Sequence, residues 1–178
     1  MDSKKMLKTM KRVMKYMVIA AVVLMSTVGC RMAGREFEQT QPLCLSNTVL
    51  SLPATITKYD EDNFVEGSAD QFLEHIRIDS SNGWEAWLED VVLVHNPETD
   101  KMEPAIDEAT GEWVSATDDN GNTYAPEWCW LQNTTGGAGM TYCHMVYVMN
   151  MTGSLRYVKL VVVGSGVRKV INISQKTI

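Results

Sequence analysis

The sequence predicts an all-β fold, an antiparallel β-sandwich of about seven strands. From Leu43 onward no long stretch keeps a helical apolar period, whereas several segments alternate apolar and polar residues. Val- and Ile-rich runs near the C-terminus are separated by Gly164-Ser165-Gly166. The chain has 178 residues, 45% apolar and 21% charged, which is room for one domain with a sizeable core.

Residues 1–29 are predicted to be a lipoprotein signal peptide. A basic head precedes an apolar stretch over residues 16–28, whose 13 residues are short of the ~20 that a membrane-spanning helix needs. The segment Thr27-Val28-Gly29-Cys30 places a small residue directly before a cysteine and resembles the lipobox of bacterial lipoproteins. That resemblance implies that Cys30 is diacylated and becomes the mature N-terminus. Two alternatives stay open: an ordinary secretory signal in which Cys30 is incidental, and translation from Met14.

Residues 30–42 are interpreted as the lipidated cysteine and a tether, since residues 31–41 have neither an apolar period nor turn punctuation. Acyl chains stabilise membrane attachment by roughly 0.8 kcal/mol for each buried CH₂ group. We therefore expect an exported protein that is anchored by lipid in the cell envelope. The expected membrane is the outer membrane, and the choice between its periplasmic and extracellular faces is left open.

The charges are unevenly distributed along the chain, and this affects which partners it can bind. Residues 30–178 carry 10 basic and 21 acidic side chains, whereas six basic side chains precede residue 16. An acidic body repels phosphate backbones, so the sequence argues against nucleic acid as a partner.

The predicted strands follow one another with polar turns between them. They cover residues 43–52, 72–79, a segment starting at Trp84, 127–132, 141–150, 155–163 and 167–174. Phe72, Ile76 and Ile78 fall on one face of the second strand, which is the pattern of a half-buried strand. Both faces of residues 141–150 are apolar, which favours a central position in a sheet.

Residues 96–127 interrupt this pattern and are predicted to be a long acidic insertion. They contain nine acidic residues and three of the five prolines. Without them, residues 43–178 number 104, close to the ~100 of an immunoglobulin-like sandwich, which is the fold that we predict. A short strand is expected near Trp113-Val114, and a loop of this length is usually functional or mobile.

Three cysteines follow Cys30, so a monomer can form at most one disulfide among them. Cys129 and Cys143 lie in consecutive predicted strands and could be cross-strand partners. Buried free thiols are the alternative for this pair, and the redox state of Cys44 is left open.

A series of short motifs runs from residue 72 to residue 175. In order, the motifs are IRIDSSNGW ending at Trp84, WCWLQN at 128–133, the Gly-rich TTGGAG, a strand ending at Asn150, Arg156, and ISQ at 173–175. In this order they resemble a BACON domain, the immunoglobulin-like module named as Bacteroidetes-associated carbohydrate-binding often N-terminal. The resemblance implies a role in glycan or mucin binding, or in spacing other proteins from the membrane. The long insertion and the two cysteines that flank the Gly-rich turn depart from the family pattern.

Aromatic side chains in and beside the insertion are the candidates for a ligand surface: Trp113, Tyr124, Trp128 and Trp130. Rings flanked by Asp, Asn and Glu suit sugars, because a ring face covers the apolar face of a pyranose while polar groups bind its hydroxyls. Trp128 and Trp130 share one strand face, which is either core or surface, and Trp113 with Tyr124 is expected to be the exposed pair.

The sequence contains no recognisable catalytic pattern, so we expect no enzyme activity, no metal and no cofactor. His75, His95 and His144 lack metal-ligand spacing and are interpreted as single surface histidines. Residues 118–122 could wrap Ca²⁺, with a solvated acidic turn as the alternative.

The sequence therefore predicts a surface-anchored, non-catalytic lipoprotein with a glycan- or mucin-binding role or a spacing role. The alternative is a structural or assembly subunit of a cell-surface complex, of the fimbrial type, which binds a protein partner and no sugar. An enzyme acting on glycans would need two carboxylates fixed across a cleft, whereas the acidic pairs in this sequence are adjacent in loops.

Overall fold

The computed structural model describes residues 42–55 and 70–178. The predicted signal peptide, Cys30 and the tether as far as residue 41 lie outside the described residues. The described residues all belong to one compact unit. Within the two described ranges, no helix has the length and hydropathy needed to cross a membrane.

Eleven strands form in the described part of the chain. In chain order they are β1 Leu43–Leu45, β2 Val49–Leu52, β3 Gln71–Ser80, β4 Trp84–Glu89, β5 Leu93–Asn96, β6 Lys101–Pro104, β7 Cys129–Leu131, β8 Thr135–Gly136, β9 Gly139–Val148, β10 Arg156–Gly164 and β11 Val167–Gln175. The longest strands, β3, β9, β10 and β11, lie where β-branched and aromatic residues are dense, because such side chains pack well on a pleated surface.

The strands form two packed sheets, which confirms the predicted all-β sandwich. The first sheet has the order β1-β3-β9-β7 and is antiparallel throughout. The second sheet has the order β2-β11-β10-β4-β8, and only β2, which runs parallel to β11, departs from antiparallel pairing. β5 and β6 pair with each other as a separate hairpin.

The core lies between the two sheets and is built from alternate residues of each strand. It includes Phe72, Ile76 and Ile78 from β3 and Val158, Leu160 and Val162 from β10. Burying one such side chain contributes about 1.5–3 kcal/mol, so the inner faces supply most of the force that holds the sheets together. Trp84 is also buried in this layer, and its indole N–H donates to Thr141 Oγ1 at 2.6 Å.

The single strand predicted over residues 43–52 forms two strands in different sheets. β1 pairs with β3 in the first sheet, and β2 pairs with β11 in the second. Ser46, Asn47 and Thr48 lie between them, and short polar residues of this kind favour an irregular connection. The chain therefore crosses from one sheet to the other at a polar break that interrupts the alternating pattern.

The acidic insertion contains regular backbone pairing. Its first residues pair as β6 with β5, most of which precedes the insertion, and further backbone hydrogen bonds join residues 90–92 to residues 105–116. The short strand expected near Trp113 is an isolated bridge between Trp113 and Ile106. The insertion is therefore a small folded unit at the end of β4.

The Cys129–Cys143 disulfide suggested by the sequence is absent, and both thiols are free and buried. The register places Cys129 opposite Tyr147, four residues along β9 from Cys143. Four residues of a strand span about 13 Å, whereas a disulfide needs Cα atoms within about 7 Å. Burial raises the pKa of Cys143 to about 12 and also raises the pKa of Cys129, so both thiols stay protonated at neutral pH.

Candidate binding groove

A groove lies between the insertion and the outer face of the second sheet. Its volume is about 360 Å³. β10 and β11 supply Lys159 and Arg168, and the insertion supplies the other lining residues, which are Asp107, Thr110, Glu112, Trp113, Val114 and Ser115. The groove exists because the insertion folds back over outward-facing side chains of the sheet.

A buried ion pair fixes the insertion to the sheet. Lys159 and Glu89 are opposite each other on β10 and β4, and both point away from the core because they alternate with core residues. Lys159 Nζ lies 3.1 Å from Glu89 Oε2 and donates to the carbonyl oxygen of Trp113 at 3.0 Å. The side chain of Lys159 is only 3% exposed, and a charge so deeply buried is stable only with such partners.

Glu89 extends this network into the insertion. Ser115 Oγ donates to Glu89 Oε2 at 2.6 Å, and the indole N–H of Trp87 donates to Oε1 at 2.8 Å. Burial alone would raise the pKa of Glu89, but the two hydrogen bonds and the Lys159 ammonium together hold that pKa below its ordinary range. Glu89 is therefore ionised at neutral pH.

A second ion pair lies at the surface of the groove. Arg168 Nη1 is 2.9 Å from each carboxylate oxygen of Glu112. The two side chains are 43% and 38% exposed, so the pair contributes only about 0–1 kcal/mol to stability. Each basic residue that lines the groove, Lys159 and Arg168, thus has a carboxylate partner.

Trp113 is the aromatic residue that lines the groove, and Tyr157 packs against its ring. The Trp113 and Tyr157 rings meet edge to face, with centroids 5.6 Å apart at 90°. Tyr157 lies two residues before Lys159 on β10, and therefore on the same outer face. Burial raises the pKa of Tyr157 and the charge of Glu103 raises it further, so the phenol keeps its proton. The arrangement places ring surface beside hydroxyl, carboxylate and guanidinium groups.

The four aromatic residues predicted from the sequence are spread over the molecule. Trp113 is half-buried and lines the groove. Tyr124 is 45% exposed in the insertion, where its carbonyl oxygen accepts the Asp90 amide. Of the two rings that were expected to be exposed, Tyr124 is exposed and Trp113 is half-buried.

Trp128 and Trp130 lie outside the groove. Trp128 packs against the core, and the guanidinium carbon of Arg156 is 5.8 Å from its ring centroid. Trp130 is 38% exposed on the outer face of the first sheet, because its neighbour Cys129 points into the core. The sequence predicts one shared strand face for the two rings, but Trp128 precedes β7 and packs against the core, whereas Trp130 lies at the surface.

Residues in the motifs that resemble a BACON domain have structural roles. Gln175 is buried at the end of β11, and its Nε2 donates to the carbonyl oxygen of Val148 on β9 at 2.9 Å, which links the two sheets. Asn150 closes the turn that follows β9, because its Oδ1 accepts from Thr152 and its Nδ2 donates to the Ser154 carbonyl oxygen. Neither side chain is available to a ligand.

Sequence reasoning missed Lys159 and Arg168 as groove residues. The available signal is Lys159, which interrupts the apolar run of β10. A lysine at a buried strand position needs a partner and a covering segment. The sequence does not indicate that the insertion provides both.

In the described part of the chain, no group of three or more His, Cys, Asp or Glu side chains could hold a metal ion. At residues 118–122, Asp118 Oδ1 accepts the backbone amides of Asn122 and Asn120. These hydrogen bonds lower the pKa of Asp118, and the one from the Asn122 amide contributes most. The carboxylate thus closes an acidic turn.

Some known structures are similar to this chain at low sequence identity. The chain matches no protein-family profile and no curated protein. One similar structure is a Bacteroides ovatus GH5 xyloglucanase in complex with a XXXG heptasaccharide, at 16% identity and a TM-score of 0.43, over 76% of this chain and 19% of that chain. Another is the NMR structure of a protein from Bacteroides thetaiotaomicron, at 12% identity and a TM-score of 0.36, over 84% of this chain and 98% of that chain. The chain spans only about a fifth of the length of the xyloglucanase.

Proposed function

We propose that this protein is an exported, lipid-anchored and non-catalytic binding protein, and that its groove binds a carbohydrate. The observation that carries the proposal is the Trp113 ring, which lines a groove of about 360 Å³ beside hydrogen-bonding side chains and packs edge to face with Tyr157. A groove of this size falls within the range of small-ligand sites and accommodates one or a few sugar rings. The resemblance to BACON domains agrees with this class of ligand.

The charges of the groove favour a neutral ligand. Lys159 is neutralised by Glu89, and Arg168 by Glu112, so neither cation is available to an anionic ligand without losing a partner. Strongly charged ligands would therefore displace an existing ion pair, which costs free energy. A neutral polyol can instead accept and donate hydrogen bonds at the edges of these pairs while a pyranose face covers a ring.

Binding to immobilised glycans tests the proposal. We expect the mature protein to be retained by at least one glycan in an array or affinity gel, and we expect Trp113→Ala to abolish retention. Trp130→Ala is the matched control, because it removes the same side chain from the other sheet and should leave retention unchanged. Tyr124→Ala, alone and combined with Trp113→Ala, measures how much the exposed Tyr124 ring contributes to glycan retention.

Two results would contradict carbohydrate binding at the groove. Loss of retention in Trp130→Ala with full retention in Trp113→Ala would move the site to the first sheet. No retention of the wild-type protein on any glycan would favour the spacing or assembly role. Circular dichroism of each variant shows whether the sandwich is intact.

The anchor is tested separately, by mass spectrometry of the protein extracted from membranes. We expect an N-terminus at Cys30 with diacylglycerol attached. An unmodified N-terminus, or protein recovered only from the culture fluid, would contradict lipid anchoring and leave the groove proposal unaffected.

The second candidate function is an assembly subunit, and one observation favours it. The β5–β6 hairpin exposes the apolar side chains of Leu93, Val94 and Met102, and Ile106 is exposed just after it. Exposed apolar clusters and open strand edges often mark protein-binding surfaces. A partner that co-purifies in fixed stoichiometry with the wild type, and is lost in Leu93→Lys with Met102→Lys, would support assembly.

A further inference from the structure

Two histidines that are far apart in sequence meet on the outer face of the first sheet. His75 on β3 lies directly opposite His144 on β9. Their ring centroids are 4.8 Å apart with an interplanar angle of 81°. His75 is exposed and His144 is half-buried, so the pair is open to solvent on one side. The pair lies on the opposite side of the sandwich from the groove.

The ring separation matches that of two imidazoles on one metal ion. A Zn–N bond is about 2.1 Å, and a ring nitrogen lies roughly 1.1 Å from its ring centre. Two such rings with an N–metal–N angle between about 90° and 109° have centroids about 4.5–5.2 Å apart. The observed 4.8 Å falls inside this interval.

The backbone that carries His144 is held in place by its neighbours. Asn133 Oδ1 accepts the His144 amide at 2.7 Å, and Asn133 Nδ2 donates to the Tyr142 carbonyl oxygen at 2.9 Å. The Tyr142 ring, on the same strand as His144, meets the ring of His75 on β3 edge-on, with centroids 6.5 Å apart. Both imidazoles therefore project from well-defined strand positions, which reduces the conformational entropy lost when an ion binds.

We propose that His75 and His144 bind one divalent transition-metal ion of the class that prefers imidazole, such as Ni²⁺ or Zn²⁺. Imidazole suits these ions, whereas Ca²⁺ and Mg²⁺ prefer oxygen ligands. Two protein ligands leave the remaining coordination positions to water, so affinity is modest and exchange is fast. The site does not depend on the carbohydrate proposal, because it lies on the other sheet.

Calorimetric titration of the full mature chain, purified without a histidine tag, tests the site with Ni²⁺ and Zn²⁺. We expect about one ion per chain with micromolar affinity, and no heat with Ca²⁺ or Mg²⁺ at the same concentrations. His75→Ala and His144→Gln should each weaken binding at least tenfold. His95→Ala is the matched control, because His95 is also exposed and lies in the β5–β6 hairpin, outside the histidine pair, and it should bind as the wild type does.

A second readout separates a lost ligand from a damaged fold. In ¹H–¹⁵N spectra of the wild type, Ni²⁺ should first broaden signals from the two strand segments around the pair. Unchanged affinity in His75→Ala, an equal loss in His95→Ala, or no binding below millimolar Ni²⁺ and Zn²⁺ would each overturn the proposal. Broadening centred elsewhere in the chain would overturn it as well.

Discussion

Gly136 illustrates how a single residue position fixes the packing of the sandwich. Gly136 pairs with Trp84 in the second sheet, and a Cβ atom added at Gly136 would overlap the Trp84 indole ring. The same ring donates its N–H to Thr141, so it cannot move away without losing that hydrogen bond. A glycine at position 136 is therefore required by the buried tryptophan.

We predict that Gly136→Ala destabilises the protein by roughly 1–3 kcal/mol through overpacking. Gly137→Ala is the control, because its added Cβ would meet no atom within 4 Å and Gly137 has no positive φ. Urea unfolding of both variants measures the difference. Equal stability of the two variants would show that the Trp84 ring adapts without cost.

The ion pair between Lys159 and Glu89 is the second residue-scale feature with a measurable effect. Because the folded-state pKa of Glu89 is depressed, its ionisation stabilises the fold at pH values above about 4.3, the unfolded value. That stabilisation is lost as the pH falls through the lower folded value. Below it, protonated Glu89 no longer compensates the buried Lys159.

We predict that Glu89→Gln costs roughly 3 kcal/mol at pH 7, because it leaves Lys159 buried without a counter-charge. The difference in unfolding free energy between wild type and variant should shrink as the pH falls below about 4. Chemical unfolding across this pH range measures it. A difference that stays constant down to pH 3 would mean that the Glu89 charge does not stabilise the insertion.

At the scale of elements, the insertion differs most from the sequence expectation. The sequence shows acidic and proline-rich residues, which are typical of a mobile loop, but the chain pairs as a hairpin and returns along residues 90–92. The order comes from contacts with the sheet, namely Lys159 to the Trp113 carbonyl and Ser115 to Glu89. Local composition carries no information on these long-range contacts.

We predict that amides within this paired region exchange slowly with solvent. The Val92 amide donates to Val114, and the Ala116 amide donates to Asp90. In native-state hydrogen exchange both should be protected well beyond the amides of the turn at 118–122, since opening them requires detaching the insertion. Exchange of all these amides at the rate of an unfolded chain would show a mobile loop instead.

The strands themselves were predictable because their signal is local. Alternation at Phe72, Ile76 and Ile78 identifies β3 and its inner face, and the Gly-rich turn at 164–166 identifies the last hairpin. The split of residues 43–52 was missed, because both halves read as β and only pairing with different sheets separates them. Register was also out of reach, and so the meeting of His75 with His144 and the separation of Cys129 from Cys143 could not be foreseen.

At the scale of the whole molecule, the two outer faces of the sandwich differ in chemistry. The second sheet carries the groove and its paired charges, while the first sheet carries Trp130 and the histidine pair. The sequence predicts the two layers and identifies Trp113 as a ligand candidate, but it does not assign each aromatic residue to a face. We propose that the groove on the second sheet contacts a glycan, while the lipid on Cys30 holds the domain at the membrane.

The most direct test of this account is an NMR titration of the ¹⁵N-labelled protein with the glycans that the array identifies. The account predicts that chemical-shift changes centre on the Trp113 indole N–H and on the backbone near Tyr157 and Arg168, and that they saturate. Changes centred on Trp130, or no change with any glycan at millimolar concentration, would contradict it.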